Sequence, residues 1–119
     1  MRGFEDLKVW QNAQELTVSI YQMLSQNHDY GFKDQIQRAA VSIMNNIAEG
    51  CDSGTDAQFD KFLRIAKGSC AETRSMLYLA HSLGYCDNDL KTSLIGKSVL
   101  ISKQLDKLRQ SLKAPANDQ

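Results

Sequence analysis

The sequence predicts an all-α fold, an antiparallel up-down-up-down four-helix bundle, and three observations predict it. Pro115 is the only proline among 119 residues, so nothing before it removes a backbone donor inside a segment. Three clusters of glycine and polar residues, NHDYG at 27–31, GCDSGT at 50–55 and GYCDND at 84–89, divide the chain into four stretches. Within each stretch the apolar residues recur at helical spacing, and nothing alternates with period two.

The first stretch, roughly Asp6 to Gln26, carries Val9, Ala13, Leu16, Ile20, Met23 and Leu24 on one stripe, with Trp10 and Tyr21 beside it. The second, roughly Phe32 to Glu49, carries Phe32, Ile36, Ala39, Ala40, Ile43 and Ile47, and Gly50 is expected just past its end as a C′ residue. Arg38, Ser42, Asn45, Asn46 and Glu49 share its opposite face. The third is the longest, roughly Asp56 to Leu83, and would extend about 40 Å at 1.5 Å per residue. Thr55 with Gln58 reads as a capping box, and Gly84 followed by Tyr85 as a Schellman end. The fourth opens at Asp87 as N-cap and runs to about Lys113. Its seam is Leu90, Leu94, Ile101, Leu105, Leu108 and Leu112. Four such helices with short connections cover one another's stripes in an up-and-down bundle. The expected organisation is therefore a single domain over residues 1–114, with 115–119 as a flexible C-terminal tail.

Composition narrows the functional classes. Fourteen Lys+Arg balance fourteen Asp+Glu, which gives no whole-molecule attraction to a polyanion. No apolar run approaches the roughly 18 residues of a membrane span, and MRGFEDLKVW lacks a signal-peptide core, so no membrane partner is expected. Cys51, Cys70 and Cys86 are odd in number and lack CxxC spacing, which fits reduced thiols in a cytoplasmic protein. An enzyme reading fails on inventory. His28 and His81 have no ligand partner at metal spacing, and GxxxxGK[ST], GxGxxG, HExxH and the Glu-x-x-His of di-iron bundles are all absent. No catalytic residue, metal, cofactor or small-molecule substrate is expected.

FEDLKVWQNAQEL (4–16), QIQRAAVSIMNNIAEG (35–50), FLRIAKGSCAE (62–72) and LGY (83–85) together resemble the 23S rRNA intervening-sequence protein family, over roughly residues 4 to 112. The accessory variability protein of diversity-generating retroelements is similar. The resemblance implies an antiparallel four-helix bundle assembled as a ring-like homopentamer. It also implies association, by genetic location, with an insertion inside a ribosomal RNA gene, and no catalytic activity. For the retroelement relatives it implies nucleic-acid and reverse-transcriptase binding through a basic surface. This chain departs from the pattern at three places. Gln37 stands where the first of two paired arginines is usual, Met44 where a proline is common, and Cys51-Asp52-Ser53-Gly54 where the family is often small and basic.

Three groups of residues are candidates for function. Asp56, Asp60, Arg64, Lys67, Ala71, Arg74 and Tyr78 fall on one face of the third helix. There Arg64, Lys67 and Arg74 would track phosphates and Tyr78 would stack on a base. Lys103 and Lys107 on the fourth helix extend this nucleic-acid-binding set, with RNA or a ribonucleoprotein as the candidate partner. The plainer reading of that face is a solvated one with an Asp60–Arg64 pair. Ile65, Met76, Leu79 and Leu83 form a second apolar row on the third helix, with Glu72 set into it, and Ile95 and Val99 point away from the leucine seam of the fourth. This apolar surplus marks an oligomer interface. Counting outward from the turn near residue 52, Arg38 comes within a turn of Glu72, so an Arg38–Glu72 ion pair within or between subunits is expected. Gly68, Ser69 and Ala71 place small side chains in mid-helix, where another backbone has room to approach. The leading function is a non-enzymatic oligomer that binds RNA or a ribonucleoprotein. The alternative is a protein–protein interaction scaffold without nucleic-acid affinity.

Overall fold

A computed structural model describes residues 3–113. Tail residues 115–119, expected to be flexible, lie outside the described residues. A 3-10 turn at Phe4–Asp6 leads into α1 (Lys8–Met23), followed by α2 (Tyr30–Cys51), α3 (Asp56–Ser82) and α4 (Asn88–Lys113). Among the described residues every regular element is a helix, as the period-3.6 pattern predicts. Each helix packs on its sequence neighbours and α1 closes on α4, while the backbones of the diagonal pairs α1–α3 and α2–α4 lie further apart across the shared core. The resulting rod measures 54 × 21 × 21 Å.

Cross-helix contacts run in opposite directions along each pair. Ser42 meets Ser69 at 2.8 Å and, further along, Gly50 lies against Phe62. Cys70 bonds Ser98 while Asp60 bonds Arg109. Asn12 bonds Gln104 while Glu15 bonds Lys97. An antiparallel bundle produces this register. Leu16, Ile20, Leu24, Ile36, Ile43, Ile47, Leu63, Leu77, Ile101 and Leu105 are fully buried along its axis. Each such side chain contributes roughly 1.5–3 kcal/mol relative to exposure.

The caps show where local chemistry sets the boundaries. Asp29 accepts from the Phe32 amide at 3.2 Å, so α2 begins at Tyr30, two residues before its apolar stripe. Gly31, expected in a loop, sits in the first turn. Asp87 accepts from the Leu90 amide as predicted, and Thr55 accepts from the Gln58 amide, the N-cap half of the predicted capping box. At the end of α3 the Tyr85 amide donates to Ala80 O at 2.8 Å and the Gly84 amide to His81 O at 3.0 Å, with Gly84 at φ +79°. This is the Schellman pattern, and its left-handed residue is the glycine.

Gly50 corrects the sequence reading. It is a buried residue inside α2, not a C′ residue beyond it. A Cβ there would lie 2.8 Å from Phe62 Cβ and 2.9 Å from the Phe59 ring, so the glycine serves close approach of α2 and α3. The left-handed turn falls instead on Gly54, at φ +96°. At the far end, Tyr85 packs edge-on against Phe32 (5.3 Å between centroids) and donates its hydroxyl to Asp29 at 2.6 Å. One clasp thus holds the α1–α2 and α3–α4 loops together.

Candidate functional site

The charged face predicted on α3 lies along the α3–α4 seam, and tertiary packing supplies acids to several of its cations. Lys67 Nζ donates to both oxygens of Asp106, at 2.7 and 2.9 Å. Asp60 is shared: Arg109 Nε bonds it at 2.9 Å, Arg64 lies at 3.4 Å and Lys113 at 4.0 Å. The Arg109 hydrogen bond, aided by the other cations, holds the Asp60 carboxyl below the usual range. Further along, Lys91 sits 5.8 Å from the centre of the half-exposed Tyr78 ring. Arg74, Lys103 and Lys107 make no ion pair among the described residues. The predicted Asp60–Arg64 pair is present, but Asp106 and Arg109 were missed as partners. Counting outward from the turn at 84–87 brings Lys67 level with residue 104 and Asp60 with residue 111, so the register held that signal.

The predicted oligomer surface divides. Ile65, Leu79 and Leu83 are 45%, 46% and 48% exposed, in one row on the outside of α3 beside α2. Met76, expected in that row, is turned into the chain's own core. Ile95 packs against the core from the α4 side and Val99 is half-buried, so neither forms a projecting ridge. Packing of α4 on α3 closes over them, and helical-wheel angles on one isolated helix carry no information about that neighbour.

Arg38 lies close to the expected register, since Ser42 meets Ser69. Its guanidinium nevertheless bonds Asp34 at 2.8 Å, one turn away on α2, and no Arg38–Glu72 contact forms within the chain. Both residues are exposed, and a partner four residues away on the same helix is already in reach without crossing a seam. Glu72 is exposed and makes no contact with another charged group among the described residues.

The interior offers little for chemistry. Cys70 is buried and donates to Ser98 O at 3.1 Å, and burial pushes its thiol up to about 11, so it stays protonated at neutral pH. Thr17 and Thr73 turn their hydroxyls back onto carbonyls of their own helices, and no buried side-chain polar atom among the described residues lacks a partner. An open groove of about 330 Å³ lies between α1 and α4, spanned by the Glu15–Lys97 pair at 2.6 Å. Among the described residues, no cluster of three His, Cys, Asp or Glu is placed to hold a metal. No described helix is long and apolar enough to cross a membrane.

Comparison with known proteins places this architecture. Residues 5–107 match the model of the 23S rRNA-intervening sequence protein family. Among solved structures, the chain is similar to a protein of unknown function from the S23 ribosomal protein family of Bacteroides thetaiotaomicron. The identity is 27% over 86% of this chain and 98% of that one, with a TM-score of 0.79. No curated protein matches it. The family model spans all four helices, so the chain belongs to the 23S rRNA-intervening sequence protein family.

Proposed function

We propose that this protein is a non-enzymatic, self-associating four-helix module of the cytoplasm whose contact surface is the outside of α3. The observation that carries this reading is the row of Ile65, Leu79 and Leu83, three large apolar side chains each nearly half exposed along one helix face. Light scattering over a dilution series is expected to give a mass above 13.4 kDa that falls on dilution. Ile65→Asp with Leu79→Glu is expected to leave the monomer. A wild-type protein that is monomeric at every concentration overturns the reading. The same measurement counts subunits, and five is the number the family resemblance implies.

A second reading, contact with RNA or a ribonucleoprotein, is favoured by Arg74, Lys103 and Lys107, which have no acidic partner among the described residues. Mobility shift against structured RNA is then expected to weaken steeply with salt, and Lys103→Glu with Lys107→Glu to abolish it. Binding absent at low salt leaves the interaction scaffold as the remaining function.

A further inference from the structure

Two grooves lie end to end along the α1–α4 seam, on either side of the Asn12–Gln104 hydrogen bond. The first, of about 230 Å³, is floored by Leu7, Val9 and Leu108 and edged by Lys8 and Lys107. Neither lysine forms an ion pair among the described residues, and no described acid lines the groove. Lys8 acts on Glu15 only from a distance, because Lys97 holds that carboxylate. Leu7 caps α1 without a side-chain acceptor and no acid stands in the first turn, so the positive end of the helix dipole adds to the two ammonium groups. Gln104 accepts from Asn12 through its carbonyl oxygen, which leaves its amide N–H groups accessible at the groove wall. The second groove, of about 330 Å³, is neutralised by the Glu15–Lys97 pair. Ser19, Ser93 and Gly96 give it small walls, and a Cβ built at Gly96 meets nothing within 4 Å. Leu100, 44% exposed, stands between the two grooves, one turn from Gln104. From Lys107 to Gly96 the furrow extends about 17 Å, or about three helical turns.

We infer that this furrow docks an amphipathic helical segment of a different protein, apolar along one face and acidic at one end. The order of chemistry along the seam gives that description. Acids meet Lys8, Lys107 and the Gln104 amide, and one apolar side chain fills the floor of Leu7, Val9 and Leu108. A second packs on Leu100, and the small-walled neutral end lets the incoming backbone come close. Nucleic acid fits less well, since phosphates would take the lysines and leave the apolar floor and Leu100 against water. The furrow lies across the bundle from the row of Ile65, Leu79 and Leu83, so it does not depend on self-association.

The test uses the full chain as bait for a phage-displayed library of random peptides about 16 residues long, enough for four helical turns. Enriched peptides are expected to combine helically spaced apolar residues with acids clustered at one end. By fluorescence anisotropy, a labelled enriched peptide is expected to lose at least about tenfold in affinity in Lys8→Glu with Lys107→Glu. The same loss is expected in Gly96→Trp, which blocks the furrow from a position with free space, with the helical circular dichroism retained. Ile65→Asp with Leu79→Glu is expected to leave peptide affinity unchanged, which separates this inference from the α3 contact. No enrichment, enriched peptides without acids, or peptides that bind both furrow variants as well as wild type overturn the inference. Loss of assembly in Gly96→Trp without any peptide binding overturns it in favour of a second copy. RNA binding that Lys8→Glu with Lys107→Glu removes and Gly96→Trp retains, again without peptide binding, overturns it in favour of nucleic acid.

Discussion

At the scale of single residues, two helical glycines, Gly50 in the last turn of α2 and Gly68 in the middle of α3, have opposite meanings. Adding a methyl at Gly50 forces Phe59 and Phe62 apart, and overpacking of this kind costs about 1–3 kcal/mol. Adding one at Gly68 meets open space and gains up to about 1 kcal/mol of helix propensity. Gly50→Ala is therefore expected to lower the denaturant midpoint and Gly68→Ala to raise it, measured at protein concentrations too low for association. Equal shifts in the two variants would show that α2 and α3 do not meet closely at Gly50. The sequence reading assigns them the other way round, Gly50 as a C′ residue and Gly68 as a place where another backbone has room to approach. The difference is whether another helix passes over the position.

At the scale of elements, most of the caps were readable in the sequence and the clasps were not. Asp29, a cap the sequence reading missed, combines the two. Its carboxylate caps α2, a local feature, and accepts from Tyr85, which is 56 residues away. The Tyr85 hydrogen bond is the larger cause that holds its carboxyl below the ordinary 3.8, and the Phe32 amide is the second. A depressed carboxyl contributes stability that is fully present above its unfolded value and is lost as pH falls through the folded value. Tyr85→Phe removes the first cause and keeps the ring against Phe32. Its stability deficit relative to wild type is thus expected to be constant between pH 5 and 7 and to shrink below about pH 4. Urea titrations across that range provide the check, and a deficit that persists unchanged to pH 2 would rule out the coupling. The α3–α4 seam follows the same logic. Asp60, Arg109, Lys67 and Asp106 become partners only because two helices lie in register.

At the scale of the whole molecule, one core runs the length of a narrow rod, and stability and assembly are expected to separate. Ile43 is fully buried, and Ile43→Ala is expected to cost about 2–5 kcal/mol. Leu83 is nearly half exposed, and Leu83→Ser is expected to change monomer stability by no more than about 0.5 kcal/mol while weakening self-association. Paired denaturation and light-scattering measurements distinguish the two. A large loss of monomer stability in the Leu83 variant would mean that the α3 row is part of the core and not a contact surface.

Fold class, four helices, their stripes and most of their caps follow from the sequence alone, because each depends on residues within about one turn of one another. The family match depends on the same linear patterns. What only the tertiary structure decided was the fate of side chains at the edges of those stripes. It drew Met76 inward, half-buried Ile95 and Val99, gave Lys67 and Arg109 acids from across a seam, and left Arg38 with Asp34 instead of Glu72. A helical wheel assigns each of those residues an angle, but only the position and register of the neighbouring helix determine whether that angle meets water, a methyl group or a charge.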